Sequence, residues 1–302
     1  MVLLPKLIVT WIILLTPQQL SDGWIMLFDG KTTYGWQAEG PSAWGVSADG
    51  ILVAEAGGKL VSTTRFPAGK LTYLCREFES ESSWEAVSVD FPGGFVTLAA
   101  EKPTEFKDVF YKPEGLQELF NGENLDNWNQ YPEMAGKFSA DAENRRLVVK
   151  DGPGMLETKE AFDDFLLQTA VFTAEDNLNS GIFFRCIPGE KMNGYESQIH
   201  NGFKDGDRSQ PVDAGTGAIY RRTVARYVPA GDKELFYKTL IVDGPHISVW
   251  VNGLQVTDWI DTRKPHANPR NGLRLEAGTI MLQAHDPTTD VYFQDMKIRA
   301  IK

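Results

Sequence analysis

The chain has 302 residues, 42% apolar and 24% charged, enough for one large or two modest domains with hydrophobic cores. Its net charge of -11 and sequence pI near 4.9 exclude electrostatic capture of nucleic acid, whose phosphates demand a basic surface. A neutral or oxidised small molecule is the more natural partner.

Taken from its start, the sequence carries Lys6 and then an apolar run from Leu7 to Leu15 that ends in Thr16, Pro17, Gln18 and Gln19. That run is too short to span a bilayer and has the layout of a signal peptide. Residues 1–21 are therefore read as an export segment, and the protein is expected in a periplasm, on a cell surface or outside the cell. Lys6 is the only basic residue there and no small-x-small cleavage site is clear, so an uncleaved anchor is the alternative. No later stretch approaches the roughly 20 apolar residues that a membrane helix needs.

An internal repeat comes next. Leu27-Phe28-Asp29-Gly30 with Trp36 recurs as Leu119-Phe120-Asn121-Gly122 with Trp128, and Ser47-Ala48-Asp49 recurs at the same offset as Ser139-Ala140-Asp141. Gly58, Leu60 and Phe66 then match Gly154, Leu156 and Phe162, which reads as a duplication. The copies are unequal, because far fewer residues follow Phe66 in the first than follow Phe162 in the second. Residues 22–112 are thus expected to form a truncated, degenerate β repeat docked on a larger domain at 116–302, with Pro113 and Gly115 marking the boundary.

Short alternating runs bounded by Gly, Asp, Asn and Pro fill both halves, from Leu71–Phe78 to Val291–Ile298, with turn signals at Asp243-Gly244 and Asn252-Gly253. Such density with little helical periodicity predicts an all-β sandwich or jelly roll. Cys75 and Cys186 fall one in each half within apolar strand patterns and read as buried free thiols, although an exported protein could pair them.

Strand parity separates core from site, since successive side chains point to opposite faces. Glu196, Gln198 and His200 share one face against Tyr195 and Ile199, Gln283 and His285 oppose Ile280 and Leu282, and Phe183 and Arg185 oppose Ile182 and Phe184. A solvated sheet face would account for any one of these strands. Amides and imidazoles recurring on separate strands, beside Phe183 and Tyr220, fit a sugar-binding concavity better. The loop Asn201–Arg208 offers Asp205 and Asp207 as oxygen ligands for calcium, but it lacks the spacing and further glutamate of an EF-hand. An ordinary acidic turn is the better reading, with calcium the weaker alternative, and no cofactor is expected.

The segments Asn179-Ser-Gly-Ile-Phe-Phe-Arg185, Gly194-Tyr-Glu-Ser-Gln-Ile199, Gly215-Thr-Gly-Ala-Ile-Tyr220, Trp250-Val-Asn-Gly253 and Leu282-Gln-Ala-His285 resemble, in order, the motifs of the 3-keto-disaccharide hydrolase domain. The resemblance implies a concanavalin-like jelly roll and cleavage of glycosides already oxidised to a ketone at C3. The ketone acidifies the hydrogen at C2. A base removes it, the C1 substituent leaves, and water adds to the enone. Glu196, His285 and Arg185 could supply base, enolate donor and acid, with Asn179, Phe183, Gln198, His200, Tyr220 and Gln283 holding the sugar. His285 is slightly favoured as base, because its ordinary pKa needs less adjustment. The path needs no paired carboxylates, and the residues offer no convincing second one. Leu235 departs from the tryptophan usual there, and the first repeat lacks both the Tyr-Glu-x-Gln and Gln-x-His motifs, so it is expected to be inactive. A non-catalytic glycan-binding module is the main alternative, because fold does not fix function, and a structural component of an exported complex is a third.

Overall fold

A computed structural model describes residues 15–41, 43–78 and 83–301. Most of the apolar export segment, residues 1–14, lies outside the described residues. Leu15 is buried, and Thr16 caps the short helix Pro17–Ser21 in a reciprocal capping box with Gln19. Among the described residues no helix is long and apolar enough to cross a membrane.

The remainder is antiparallel sheet, as the alternating sequence predicts. In the second half an eight-stranded sheet packs on a five-stranded one, and Leu147, Phe165, Ile182, Phe184, Phe236, Val249, Ile280 and Leu282 fill the space between them. The five-stranded sheet runs in the order Trp128–Gln130, Gly154–Phe162, Gly278–Ala284, Ser180–Cys186, Tyr195–Ile199. Its inner face makes the core, and its outer face carries the polar stripe.

The first half builds a smaller two-sheet sandwich of its own, six strands on three. Its strand order, from Trp44–Val46 through Leu52–Ala54, Thr104–Pro113 and Gly69–Glu77 to Glu85–Phe91, matches the order from Lys137–Asp141 to Leu235–Asp243 in the second half. The corresponding strands Gly58–Phe66 and Gly154–Phe162 carry a register shift at the same place, after Val61 and after Glu157. Among the described residues the first half has no counterparts of Ser180–Cys186 and Tyr195–Ile199, the strands that bear Phe183, Glu196 and Gln198, nor of His246–Val251 and Leu254–Ile260.

The smaller sandwich does not close its core alone. Leu166, Ile241 and Trp250, from the outer face of the eight-stranded sheet, join its cluster with Phe28, Phe66 and Tyr111. Trp250 lies 5.7 Å from the Phe66 ring, and its Nε1 donates to the Met26 carbonyl at 2.9 Å. Thr63, Thr64 and Arg65 bond across to Asp258, Ser248 and Asp243. Asp29, from the Leu-Phe-Asp-Gly motif, accepts from Arg226 at 2.8 Å. Burial would raise its pKa, yet bonds from Thr32, Arg226 and Lys31 hold it below the usual carboxylate value. Trp36 is buried with its Nε1 on the Leu27 carbonyl, and Trp44 stacks on Phe106. Cys75 and Cys186 are free thiols.

Candidate functional site

The register of the five-stranded sheet sets the outer face in two rows. Glu157 pairs with Met281, Met281 with Phe183, and Phe183 with Glu196. One step along, Met155 pairs with Gln283, which stands beside Gly181, which pairs with Gln198. Glycine at 181 leaves room for Glu196: a Cβ there would lie 2.7 Å from Glu196 Oε1 and push the side chain aside, so the carboxylate lies over this bare patch of backbone. Gly181 is thus a floor with Glu196, Gln198 and Gln283 around it.

Two acceptors are left open. Gln198 donates through Nε2 to Asp213 Oδ2 at 2.9 Å, while its Oε1 and that of Gln283 are buried without a hydrogen-bond partner. Such orphaned acceptors are expensive unless a ligand or water supplies the donor. Asp213 also accepts from Asn179 Nδ2 at 2.7 Å, which fixes both amides. It stands in a run of left-handed backbone, φ 46° at Asp213, 68° at Ala214 and 80° at Gly215, a strained loop of the kind that clusters at functional sites. Asp213→Asn replaces one acceptor oxygen by a donor and should release the Gln198 amide. The expected result is a rise in KM or Kd for a sugar ligand of about tenfold or more, with thermal stability little changed.

Electrostatically the site centres on Glu196, 7% exposed. Burial pushes its pKa up to about 7, against the pull of Arg270, His285 and Lys238, with Asp213 reinforcing the rise. Arg270 Nη2 lies 3.7 Å from Glu196 Oε2, the guanidinium covers the Phe183 ring at 5.3 Å, and its Nε is anchored on the Met192 carbonyl. His285 is exposed at the rim, with Nδ1 2.8 Å from Asp286. Bonds from Thr288 and His285 hold that acid at about 2. His200 is held below its ordinary pKa chiefly by burial, and its Nδ1 accepts from Gly202 N, which leaves Nε2 to carry the proton of the neutral ring.

Arg185 does not join this group, contrary to the parity expectation. A register shift between Phe183 and Cys186 and a φ of 48° at Arg185 turn it out of the alternation. Its buried guanidinium binds Asp164 and the carbonyls of Gly244 and Arg274. Tyr220 borders the site through its backbone, its N–H bonding the Glu196 carbonyl at 2.9 Å, and Arg221 lies over its ring. Phe183 is floor, fully buried. Asp207 is engaged by Ser209 and Gln210 in the hairpin that Asp205 turns, and among the described residues no three His, Cys, Asp or Glu side chains gather as a metal site. Leu235 is exposed on the eight-stranded sheet, remote from the stripe.

The residues alone did not single out Arg270, Asp213 or Gly181. A second carboxylate, Glu157, shares the row of Glu196, but three strand spacings separate them by about 14 Å, too far for a glycosidase pair. Its oxygens are engaged by Thr279, Tyr131 and Gly189. A cleft of about 690 Å³ opens against the eight-stranded sheet, between residues 20–25, 112–116 and Gln168; Lys238 is among its lining residues, whereas Glu196, Gln198, Gln283 and His285 are not.

A family model described as the 3-keto-alpha-glucoside-1,2-lyase-like domain matches residues 115–299. The chain belongs to that family. The matched span holds every residue of the two rows, and the smaller sandwich lies outside it. Among solved structures, a candidate glycosyl hydrolase from Parabacteroides distasonis ATCC 8503 shares the fold, with TM-score 0.51 and 19% identity over 63% of this chain and 95% of its own. A second from the same organism has TM-score 0.48 and 24% identity over 62% of this chain and 100% of its own. The carbohydrate binding module CBM66 from Bacillus subtilis has TM-score 0.40 and 13% identity over 58% and 96%. No curated protein matches the chain.

Proposed function

We propose that the 116–302 domain cleaves 3-keto-glycosides by elimination, with Glu196 as the base. The observation that carries this is the pairing of a buried carboxylate brought to about 7 with two orphaned amide acceptors over a glycine floor. A carboxyl at its ordinary pKa is a weak base toward the hydrogen beside a ketone, and desolvation strengthens it without a metal or second acid. On sequence grounds His285 is the slightly favoured base. Its place at the exposed rim beside Asp286 suits it better to the leaving group.

In this mechanism Glu196 takes the C2 proton and the electron pair moves onto the C3 oxygen as an enolate, which Arg270 is near enough to stabilise. The pair then forms the C1=C2 bond as the glycosidic C1–O bond breaks, and the departing oxygen takes a proton from His285. Water adding across C1=C2 would complete a hydrolysis. Gln198 and Gln283 accept from sugar hydroxyls. The smaller sandwich, with the same strand order but without the two site strands, is read as a degenerate copy with no chemistry of its own. The export segment and extracytoplasmic location remain part of this proposal.

The test is to offer purified protein a 3-keto-glycoside and its unoxidised parent. Release of aglycone from the ketone alone, with the near-ultraviolet absorbance of a conjugated enone, is the expected result. Binding of both without release would favour the glycan-binding reading.

A further inference from the structure

Lys238 stands on the eight-stranded sheet in Leu235–Asp243 and is 2% exposed. Its side chain crosses the interior of the sandwich to the five-stranded sheet, where Nζ donates to the carbonyls of Ser197 at 2.8 Å and Gln198 at 2.9 Å. Burying an ammonium is among the most unfavourable things a fold does unless a carboxylate compensates it. Here the direct partners are neutral carbonyls, and among the described residues no acid lies within ion-pair distance.

The strand it holds needs holding. Tyr195–Ile199 ends the path of its sheet, and its outer edge bonds to the loop at 217–220 through Gly217, Ala218 and Tyr220. Glu196 and Gln198 project from the outer face of this strand, so any tilt of it moves both. The acid whose charge reaches Lys238 is Glu196.

We propose that Lys238 is a positioning residue for Glu196: its ammonium braces the Tyr195–Ile199 backbone from beneath and stabilises the ionised carboxylate above. The groups whose charge bears on Glu196 are Arg270 and His285 on the outer face, Asp213 from the strained loop, and Lys238 from the core. Arg270 and His285 come from loop and strand end, whereas Lys238 is fixed between the sheets. Burial brings Lys238 down to about 7 and Glu196 up to about 7, and the charge of each favours the charged form of the other.

The inference rests on Glu196 being the base, and the experiment therefore reads the carboxyl directly. In the full chain carrying ¹³C-labelled glutamate, the Glu196 carboxyl is titrated by NMR in the parent, Lys238→Met and Lys238→Gln. Removing a positive charge disfavours the carboxylate, so the midpoint should rise by about one pH unit in both variants. Glutamine can still donate to a carbonyl, so parental titration in Lys238→Gln would overturn the electrostatic role. If Lys238→Met does not fold, Glu196→Gln gives the reciprocal reading: the Lys238 midpoint should fall, and an unmoved one overturns the coupling. With a 3-keto-glycoside, the acidic limb of kcat/KM should move up with the carboxyl midpoint. A midpoint that moves while the limb stays would leave the coupling intact and count against Glu196 as base.

Discussion

Glu196→Gln should lower turnover of a 3-keto-glycoside by about 100-fold to 10,000-fold, the usual value of general-base assistance. Glutamine keeps the shape over Gly181 and removes only the proton acceptor, so fold and sugar affinity should survive. In the parent, the acidic limb of kcat/KM should rise with pH through about 7, because burial raises the Glu196 pKa and only the ionised form accepts the proton, and a falling limb at higher pH should follow from the loss of the His285 proton. The same shift has a stability consequence. A carboxyl whose folded pKa lies above its unfolded value destabilises the fold as pH climbs between the two, so Glu196→Gln should be at least as stable as the parent at pH 8. His285→Ala should slow the reaction most for poor leaving groups. Full activity in Glu196→Gln with loss in His285→Ala would reverse the two assignments.

The second large effect is expected far from the site. Trp250→Ala should destabilise the protein by about 3–5 kcal/mol, because it removes a buried indole that packs on Phe66 and donates to Met26 across the two sandwiches. The smaller unit would then lose part of its core, since Leu166, Ile241 and Trp250 complete it. Thermal unfolding should show an early transition, and limited proteolysis should cut within 25–113 before 116–302. Residues 22–112 expressed alone should be unfolded or associated. A stably folded monomer of that segment, or a Trp250→Ala protein with parental melting, would show the cluster to be dispensable.

Strand parity makes much of the candidate site legible in the sequence. Glu196, Gln198 and Gln283 sit on regular strands, so alternation alone assigns their faces, and His285 follows directly on the end of Gly278–Ala284. It failed at Arg185, where one residue of bulge rotates every later side chain and sends the guanidinium to Asp164. A bulge leaves little mark in composition, and Cys186 instead of Arg185 ends up beside Phe183 and Met281. Arg270 lies in an irregular, proline-containing loop without periodicity, so nothing local marks it as the cation nearest Glu196.

The sequence by itself determined an all-β fold, the recurrence of one opening motif in both halves, and the polar faces of the two strands that bear Glu196, Gln198 and Gln283, because these follow from local alternation and turn chemistry. The tertiary structure decided the rest. Which strands lie side by side is a matter of register between distant segments, and it puts Gly181 under Glu196 and Gln283 beside it. The ionisation of Glu196 is set by burial and by charges from four separate places in the chain, Arg270, His285, Lys238 and Asp213. Desolvation and Coulomb interactions depend on distance in space, which residue order does not record.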